Sequence, residues 1–458
     1  MIRIDSKRNK FTYNIYHIVK SFYPGEDVEQ KVDGEQEALV TLERQLQEEK
    51  WAVTRSVYRY LENFTGEKLA WGILTGVRPT KLIMQKLEAG ISREEILRSF
   101  QEEDLVSPEK AQLAYETACR EHELLSRLDC EEGFSLYVGI PFCPSVCSYC
   151  SFSSSPIDVW RDRVDGYLDA LIQELKALGE MAAGRRPDTV YIGGGTPTTL
   201  EPEQMDRLLK AVTEYFDLSH TLEFTIEAGR PDSITEEKLR VIRRYPVTRI
   251  SVNPQTMQQK TLDLVGRRHT VQDVVKAFHM ARRLGFDNIN MDLIAGLPGE
   301  TAADMQDTLR QVEALHPDSL TVHALAIKRA ARFGQEGRTA QLHSEITQMI
   351  EDASECARGM GLKPYYLYRQ KNIAGNFENV GYAEVDKAGI YNILIMEEKQ
   401  TILAAGAGAS TKILLKEPIR TENGKEIGLV RIENVKNITE YISRIDEMIE
   451  RKGEWLWR

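Results

Sequence analysis

Ser135-Leu-Tyr-Val-Gly-Ile-Pro-Phe-Cys143-Pro-Ser-Val-Cys147-Ser-Tyr-Cys150-Ser-Phe152 decides how the chain is read. Its first six residues form a short apolar run of strand character, and three cysteines follow directly. Working outward, the same texture recurs. Strand-like runs lie at 189–193, 222–227, 249–252, 288–294 and 319–325, and helical periodicity fills the intervals at 167–178, 205–216, 271–284 and 303–315. Such alternation predicts parallel βα units, arranged as an open sheet or as a full or partial barrel. In each arrangement function collects beyond the C-terminal ends of the strands, which is where the cysteines fall.

At 458 residues, with 42% hydrophobic and 28% charged residues, the chain has the composition of a globular protein of one to three domains. The net charge of −11 argues against a general affinity for nucleic acid or anionic membranes. No run approaches the ~18 apolar residues of a membrane span, and Met1 is not followed by an apolar signal region, so a soluble cytoplasmic protein is expected. In a reducing compartment clustered thiols serve as metal ligands or redox groups more often than as disulfides. The scattered Cys119, Cys130 and Cys356 are read as packing residues.

Residues 1–130 are read as an α-rich accessory domain, with strand-like pieces at 1–5 and 38–42 and helical patterns at 53–64 and 81–100. Ser107 before Pro108 has the form of a helix N-cap, and Thr75 to Lys81 reads as a helix entry in preference to an anion loop. The central domain spans 131–330. The tail, 331–458, contains a helical stretch at 339–360 and strand-like segments at 365–369, 391–396 and 401–405, a smaller α+β region expected to cover the active site.

Three thiols spaced C-x3-C-x2-C can wrap one soft-metal centre. Structural zinc needs a fourth ligand, and a C-x-x-C redox pair would leave Cys143 unexplained. A 4Fe-4S cluster with one open iron uses all three. Gly193-Gly-Gly-Thr-Pro197 follows the second strand and permits close backbone approach, yet it lacks both the phosphate-loop and the dinucleotide pattern. Glu227, Gln255 and Asp292 end later strands on the same side, and Asp292 in its apolar strand needs a partner.

With these residues in place the chain resembles the radical S-adenosylmethionine superfamily. Tyr137 to Cys143, Arg249-Ile-Ser-Val-Asn-Pro-Gln255, Gly266-Arg-Arg-His269 and Asn290 to Pro298 are similar to the oxygen-independent coproporphyrinogen III oxidase family. The N-terminal region and Tyr365-Tyr-Leu-Tyr-Arg-Gln-Lys371 are most like its HemZ-type coproporphyrinogen dehydrogenase branch. The resemblance implies a partial (βα)6 TIM-like barrel holding a 4Fe-4S cluster on Cys143, Cys147 and Cys150. It implies an S-adenosylmethionine site lined by Tyr137, Tyr149, Gly194, Gly195, Thr196, Glu227, Gln255, Arg267, Asp292 and Ala326, with Arg268 the alternative to Arg267.

The implied reaction is oxidative decarboxylation of two propionates of coproporphyrinogen III, giving protoporphyrinogen IX for haem synthesis through a 5'-deoxyadenosyl radical. An electron donor and an electron acceptor are the implied partners, and the chain is expected to act as a monomer. Tyr137, Arg369 and Lys371 are the expected catalytic residues; Lys328, Arg329, Arg332, Arg161 and Arg163 are further candidate propionate contacts. Two departures stand out. Phe152 replaces the fourth cysteine of the decarboxylases, as in the related haem chaperones, and Gly139 replaces their histidine. The alternatives are therefore a haem chaperone and another radical reaction on a tetrapyrrole.

Overall fold

Strand β1 (Ile2–Ser6), helix α1 (Asn9–Phe22), strand β2 (Val28–Val32) and helix α2 (Lys50–Thr65) begin the chain, with β1 and β2 paired in parallel. They enclose a small core of their own around Ile18, Phe22, Val57, Tyr58 and Leu61. The computed structural model describes residues 2–6, 9–23, 26–32, 50–76, 78–130, 132–150, 154–325, 338–369, 377–420 and 426–457. The strand-like piece expected at 38–42 lies outside them.

One helix was expected over 81–100; two form, α3 (Thr80–Glu88) and α4 (Arg93–Glu102). Gly90 at φ +73° breaks the run, and Ser92 restarts it by accepting a bond from Glu95 N at 3.3 Å. Ser107 caps α5 (Pro108–Leu125) as expected, accepting from Lys110 N at 3.3 Å. Ile83, Phe100, Ala111 and Ala118 of these helices share the main core with the central strands, so the packing continues across residue 130.

The central strands are β3 (Phe134–Ile140), β6 (Pro187–Gly194), β7 (Glu223–Glu227), β8 (Arg249–Ser251), β9 (Ile289–Ala295) and β10 (Ser319–Ala324), each within two residues of expectation. They lie side by side in chain order, all parallel, as the partial (βα)6 barrel. Between β3 and β6, two short strands, β4 (Phe142–Cys143) and β5 (Ser155–Pro156), pair across the cysteine loop. The connections run through α6 (Val164–Met181), α7 (Pro202–Tyr215), α8 (Glu236–Ile242), α9 (Gln259–Leu264), α10 (Val271–Arg283) and α11 (Ala302–Leu315). Phe134, Phe142, Phe224 and Phe278 are fully buried between strands and helices, each contributing roughly 1.5–3 kcal/mol.

After α12 (Arg338–Gly359), the tail lengthens the sheet at both edges. Strand β12 (Glu378–Ala383) pairs antiparallel with β10, and β11 (Lys363–Arg369) lies outside it. The segment expected as a strand at 391–396 is instead helix α13 (Ile390–Glu397). An apolar run of that length has no periodicity that separates strand from helix. Here its free N-terminal amides decide, because Tyr391 N donates to the buried carboxylate of Glu223 at 3.0 Å. On the other edge β13 (Thr401–Ala405) runs parallel to β3, followed by β14 (Ser410–Arg420) and β15 (Glu426–Glu433).

Helices α14 (Ile438–Ser443) and α15 (Ile445–Gly453) return to α6. There Glu174, with no exposed surface, receives Lys452 Nζ, Tyr441 OH, Asn434 Nδ2 at 2.8 Å and Gly406 N at 2.9 Å.

Candidate active site

The β4–β5 pair, a small sheet of its own, closes the base of the cysteine loop, and the glycine turn after β6 is laced onto that base. Gly195 N donates to Ile140 O and Thr196 N to Phe142 O, both at 2.7 Å. A Cβ on Gly195 would lie 2.5 Å from Phe142 O, and Gly194 adopts φ +106°, so both positions require glycine. Thr196 Oγ1 in turn donates to Cys143 Sγ at 3.4 Å. Ser148 N to Val265 O at 3.1 Å and Ser145 Oγ to Gly266 O at 2.8 Å pin the outer part of the loop to the turn after α9.

Two buried guanidinium groups face this loop. Arg267 Nη1 lies 3.9 Å from Cys147 Sγ and donates to Tyr149 OH at 3.3 Å, while its Nη2 is fixed by the carbonyls of Gly229 and Asn253. Of the two neighbours Arg267 is buried against the loop and Arg268 is exposed. Arg230 Nη1 lies 3.5 Å from the same sulfur, and Asp232 holds the opposite edge of its guanidinium. Burial opposes ionisation of Asp232, yet contacts with His269 and Arg230 hold its carboxyl well below the usual range.

Among the described residues no three His, Cys, Asp or Glu side chains converge where a single ion could sit. Three partly buried thiols on one loop, backed by two cations, fit a larger anionic iron–sulfur cluster.

Beside the loop lies a polar hollow at the strand ends. Glu227 accepts the Tyr191 hydroxyl, and a Cβ on Gly193 would lie 2.9 Å from its carboxyl carbon, so glycine makes room for it. Withdrawal from water pushes the Glu227 carboxyl up to about 7; the bond from Tyr191 opposes the rise and the charge of Asp292 adds to it. Gln255 has φ +67°, a left-handed conformation uncommon for a non-glycine residue. Its amide donates to Asp292 O and its carbonyl accepts from Ile294 N, both at 2.9 Å, so β9 holds the strained backbone in place. Asn290 Nδ2 orients Asp292 Oδ1 at 2.7 Å.

Tyr137, Tyr191 and Tyr391 stack beneath, Tyr191 and Tyr391 with ring centroids 4.5 Å apart and Tyr137 6.1 Å from Tyr391. Tyr191 was legible as the residue two before Gly193 on the same strand face. Tyr391 was not, because its helix was read as a strand. Arg230 was missed although it follows the strand-ending Glu227 by only three residues.

Several expected substrate contacts lie elsewhere. Arg369 is 1% exposed, its Nη1 donates to Leu74 O at 2.5 Å, and its guanidinium lies 5.1 Å from the Trp71 ring centre. It joins β11 to the N-terminal region. Burial lowers its pKa to about 9, against the opposing charge of Glu378. Arg161 pairs with Asp158 at 2.8 Å on the surface, and Arg163 covers Trp160 at 4.2 Å. Lys371, Ala326, Lys328, Arg329, Arg332 and Phe152 lie outside the described residues. A cavity of about 800 Å³ between α2, α5, α12 and β12 is lined by none of the residues around the hollow.

Comparison with known proteins agrees with this geometry. The family profile described as Radical SAM superfamily matches residues 137–312. The "Oxygen-independent coproporphyrinogen-III oxidase-like protein HemZ" of Bacillus subtilis (strain 168) is 41% identical over 402 residues, covering 86% of this chain and 79% of the relative. The "Heme chaperone HemW" of the same organism is 36% identical over 240 residues, 51% of this chain and 62% of the relative. The solved structure titled "Coproporphyrinogen III oxidase (HemN) from Escherichia coli is a Radical SAM enzyme" superposes with a TM-score of 0.55 at 26% identity, over 73% of each chain. With the cysteine loop, the glycine turn and the strand-end acids gathered at one end of the barrel, the chain belongs to the oxygen-independent coproporphyrinogen III oxidase-like family of the radical S-adenosylmethionine superfamily, whose cofactors are a 4Fe-4S cluster and S-adenosylmethionine.

Proposed function

We propose that the protein catalyses the oxygen-independent oxidative decarboxylation of coproporphyrinogen III to protoporphyrinogen IX. The observation that carries this reading is the extent of the likeness to the HemZ protein, which at 86% of the chain reaches well beyond the superfamily match of 137–312. The likeness to the haem chaperone HemW covers 51% of the chain for the Bacillus subtilis protein and 60% for that of Lactococcus lactis. When bound, the cluster and S-adenosylmethionine supply a 5'-deoxyadenosyl radical able to take a hydrogen atom from a propionate. In each round the propionate loses that hydrogen from the carbon next to the ring. It then releases carbon dioxide and passes one electron to a one-electron acceptor, leaving a vinyl group.

The chain's own residues would bind and orient. Cys143, Cys147 and Cys150 would ligate the cluster, and the backbone of Gly194 and Gly195 with Thr196 would cradle the methionine end of S-adenosylmethionine. Glu227 and Asp292 would accept bonds from its ammonium and ribose hydroxyls, Arg267 would face its carboxylate, and Gln255 would line the hollow. Tyr137, Tyr191 and Tyr391 close the hollow from below and keep water from it, as radical chemistry requires.

The competing reading, a haem carrier, rests on the HemW likeness and on Gly139 standing beside Tyr137 where the decarboxylases have histidine. Anaerobically reconstituted protein incubated with S-adenosylmethionine, a reductant, an electron acceptor and coproporphyrinogen III distinguishes them. Mass spectrometry is expected to find the product lacking two carboxyl groups. Unchanged substrate, together with stable haem binding and transfer to an apo-haemoprotein, would assign the protein to the carriers.

A further inference from the structure

We propose that Arg230 is a positioning residue for the cluster: its guanidinium, anchored by Asp232, donates to Cys147 Sγ and raises the cluster's reduction potential.

The geometry is specific. Arg230 is 3% exposed, and all three of its nitrogens are engaged. Nε donates to Asp232 Oδ1 at 2.9 Å and Nη2 to Asp232 Oδ2 at 2.6 Å, a bidentate clamp along one edge. Nη2 also donates to Ser145 Oγ, and Nη1 to Ser145 O, both at 3.1 Å. The remaining direction of Nη1 meets Cys147 Sγ at 3.5 Å. Because a guanidinium is flat, a carboxylate on the Nε–Nη2 edge lies across the group from that sulfur. The positive face is turned to the cysteine and the negative partner is turned away.

Arg230 thereby does two things at once. Through Ser145 it holds the residue two before Cys147, fixing the loop. Through Nη1 it supplies a hydrogen bond and a positive charge to a ligand sulfur. Adding an electron makes the cysteine-bound cluster more negative, so a donor and a charge on the sulfur favour the reduced form. Cys147 is singled out, since Arg267 Nη1 approaches the same atom, whereas Cys143 receives the neutral hydroxyl of Thr196. Arg267 has no carboxylate partner among the described residues, while Arg230 is charge-balanced by Asp232. Asp232 therefore becomes the adjustable element.

The test needs the cluster and not the tetrapyrrole, so it stands or falls apart from the proposed reaction. Wild type, Arg230→Gln and Asp232→Asn are reconstituted anaerobically, iron and sulfide are counted, and the midpoint potential is read by electron paramagnetic resonance at set potentials. Arg230→Gln removes the donor and leaves the Asp232 charge uncompensated. It is expected to lower the reduced-to-oxidised ratio at a fixed potential at least tenfold, about 59 mV for a one-electron couple. Asp232→Asn, which keeps the guanidinium and removes its counter-charge, is expected to shift the ratio the opposite way. A structural role alone would change iron content without moving the potential of the clusters that form. Should Arg230→Gln not retain a cluster, Asp232→Asn decides by itself. A midpoint in loaded Asp232→Asn within twofold of wild type, on the same scale, would overturn the proposal.

Discussion

Glu227 shows how one residue ties the hollow to the stability of the protein. Its carboxyl keeps a proton to about pH 7 in the folded, cofactor-free chain but only to about 4.5 in water. Between those values the folded state binds more protons than the unfolded one, so stability falls as pH rises through that window. Glu227→Gln is expected to remove up to roughly 3 kcal/mol of this dependence, leaving the cofactor-free variant more stable than wild type at pH 8 and little different at pH 4.5. Urea unfolding of both proteins across the range checks it, and parallel curves would contradict the assigned burial. The acid itself was legible in the sequence, as a carboxylate closing a strand. Its partner Tyr191 was legible only through the period of that strand, and the third ring, Tyr391, was hidden by the wrong element.

Elements were readable where pattern and environment agree. The six central strands are short apolar runs flanked by periodic helices, and parallel pairing buries them on both faces, so their positions came within two residues. Helix α13 was not readable, because the carboxylate that receives its N-terminus, Glu223, comes from a strand far away in sequence. Strands β12, β14 and β15 were also missed: β12 joins β10 across the intervening α12 and β11, whereas β14 and β15 pair locally with each other after β13. The two final helices depend on a similar long-range tie. Lys452 and Glu174 are both fully buried, and removing one partner leaves an uncompensated charge. Lys452→Met is expected to cost about 3–5 kcal/mol in chemical denaturation. A loss under about 1 kcal/mol would mean that the pair does not hold α15 to α6.

At the scale of the whole molecule, the sheet is one body to which both ends of the chain contribute. The tail supplies both flanks of the barrel, and α3, α4 and α5 share its core. This explains why Arg369, which reads in sequence as a substrate cation, serves as a joint: β11 brings it against Trp71 and Leu74 of the N-terminal region. Charge at a strand end marks a candidate, and only the packing of a distant segment decides whether that charge faces ligand or protein. The cysteine spacing needed no such context, since three thiols on one loop carry their meaning locally.

The most direct measurement of the proposed reaction follows the hydrogen. Coproporphyrinogen III carrying deuterium on the propionate carbons next to the rings is incubated anaerobically with the reconstituted protein and S-adenosylmethionine. The 5'-deoxyadenosine formed is then weighed by mass spectrometry. One deuterium in 5'-deoxyadenosine is expected for each vinyl group produced; 5'-deoxyadenosine free of deuterium, or none formed beyond a control without coproporphyrinogen, would contradict hydrogen abstraction from the propionate.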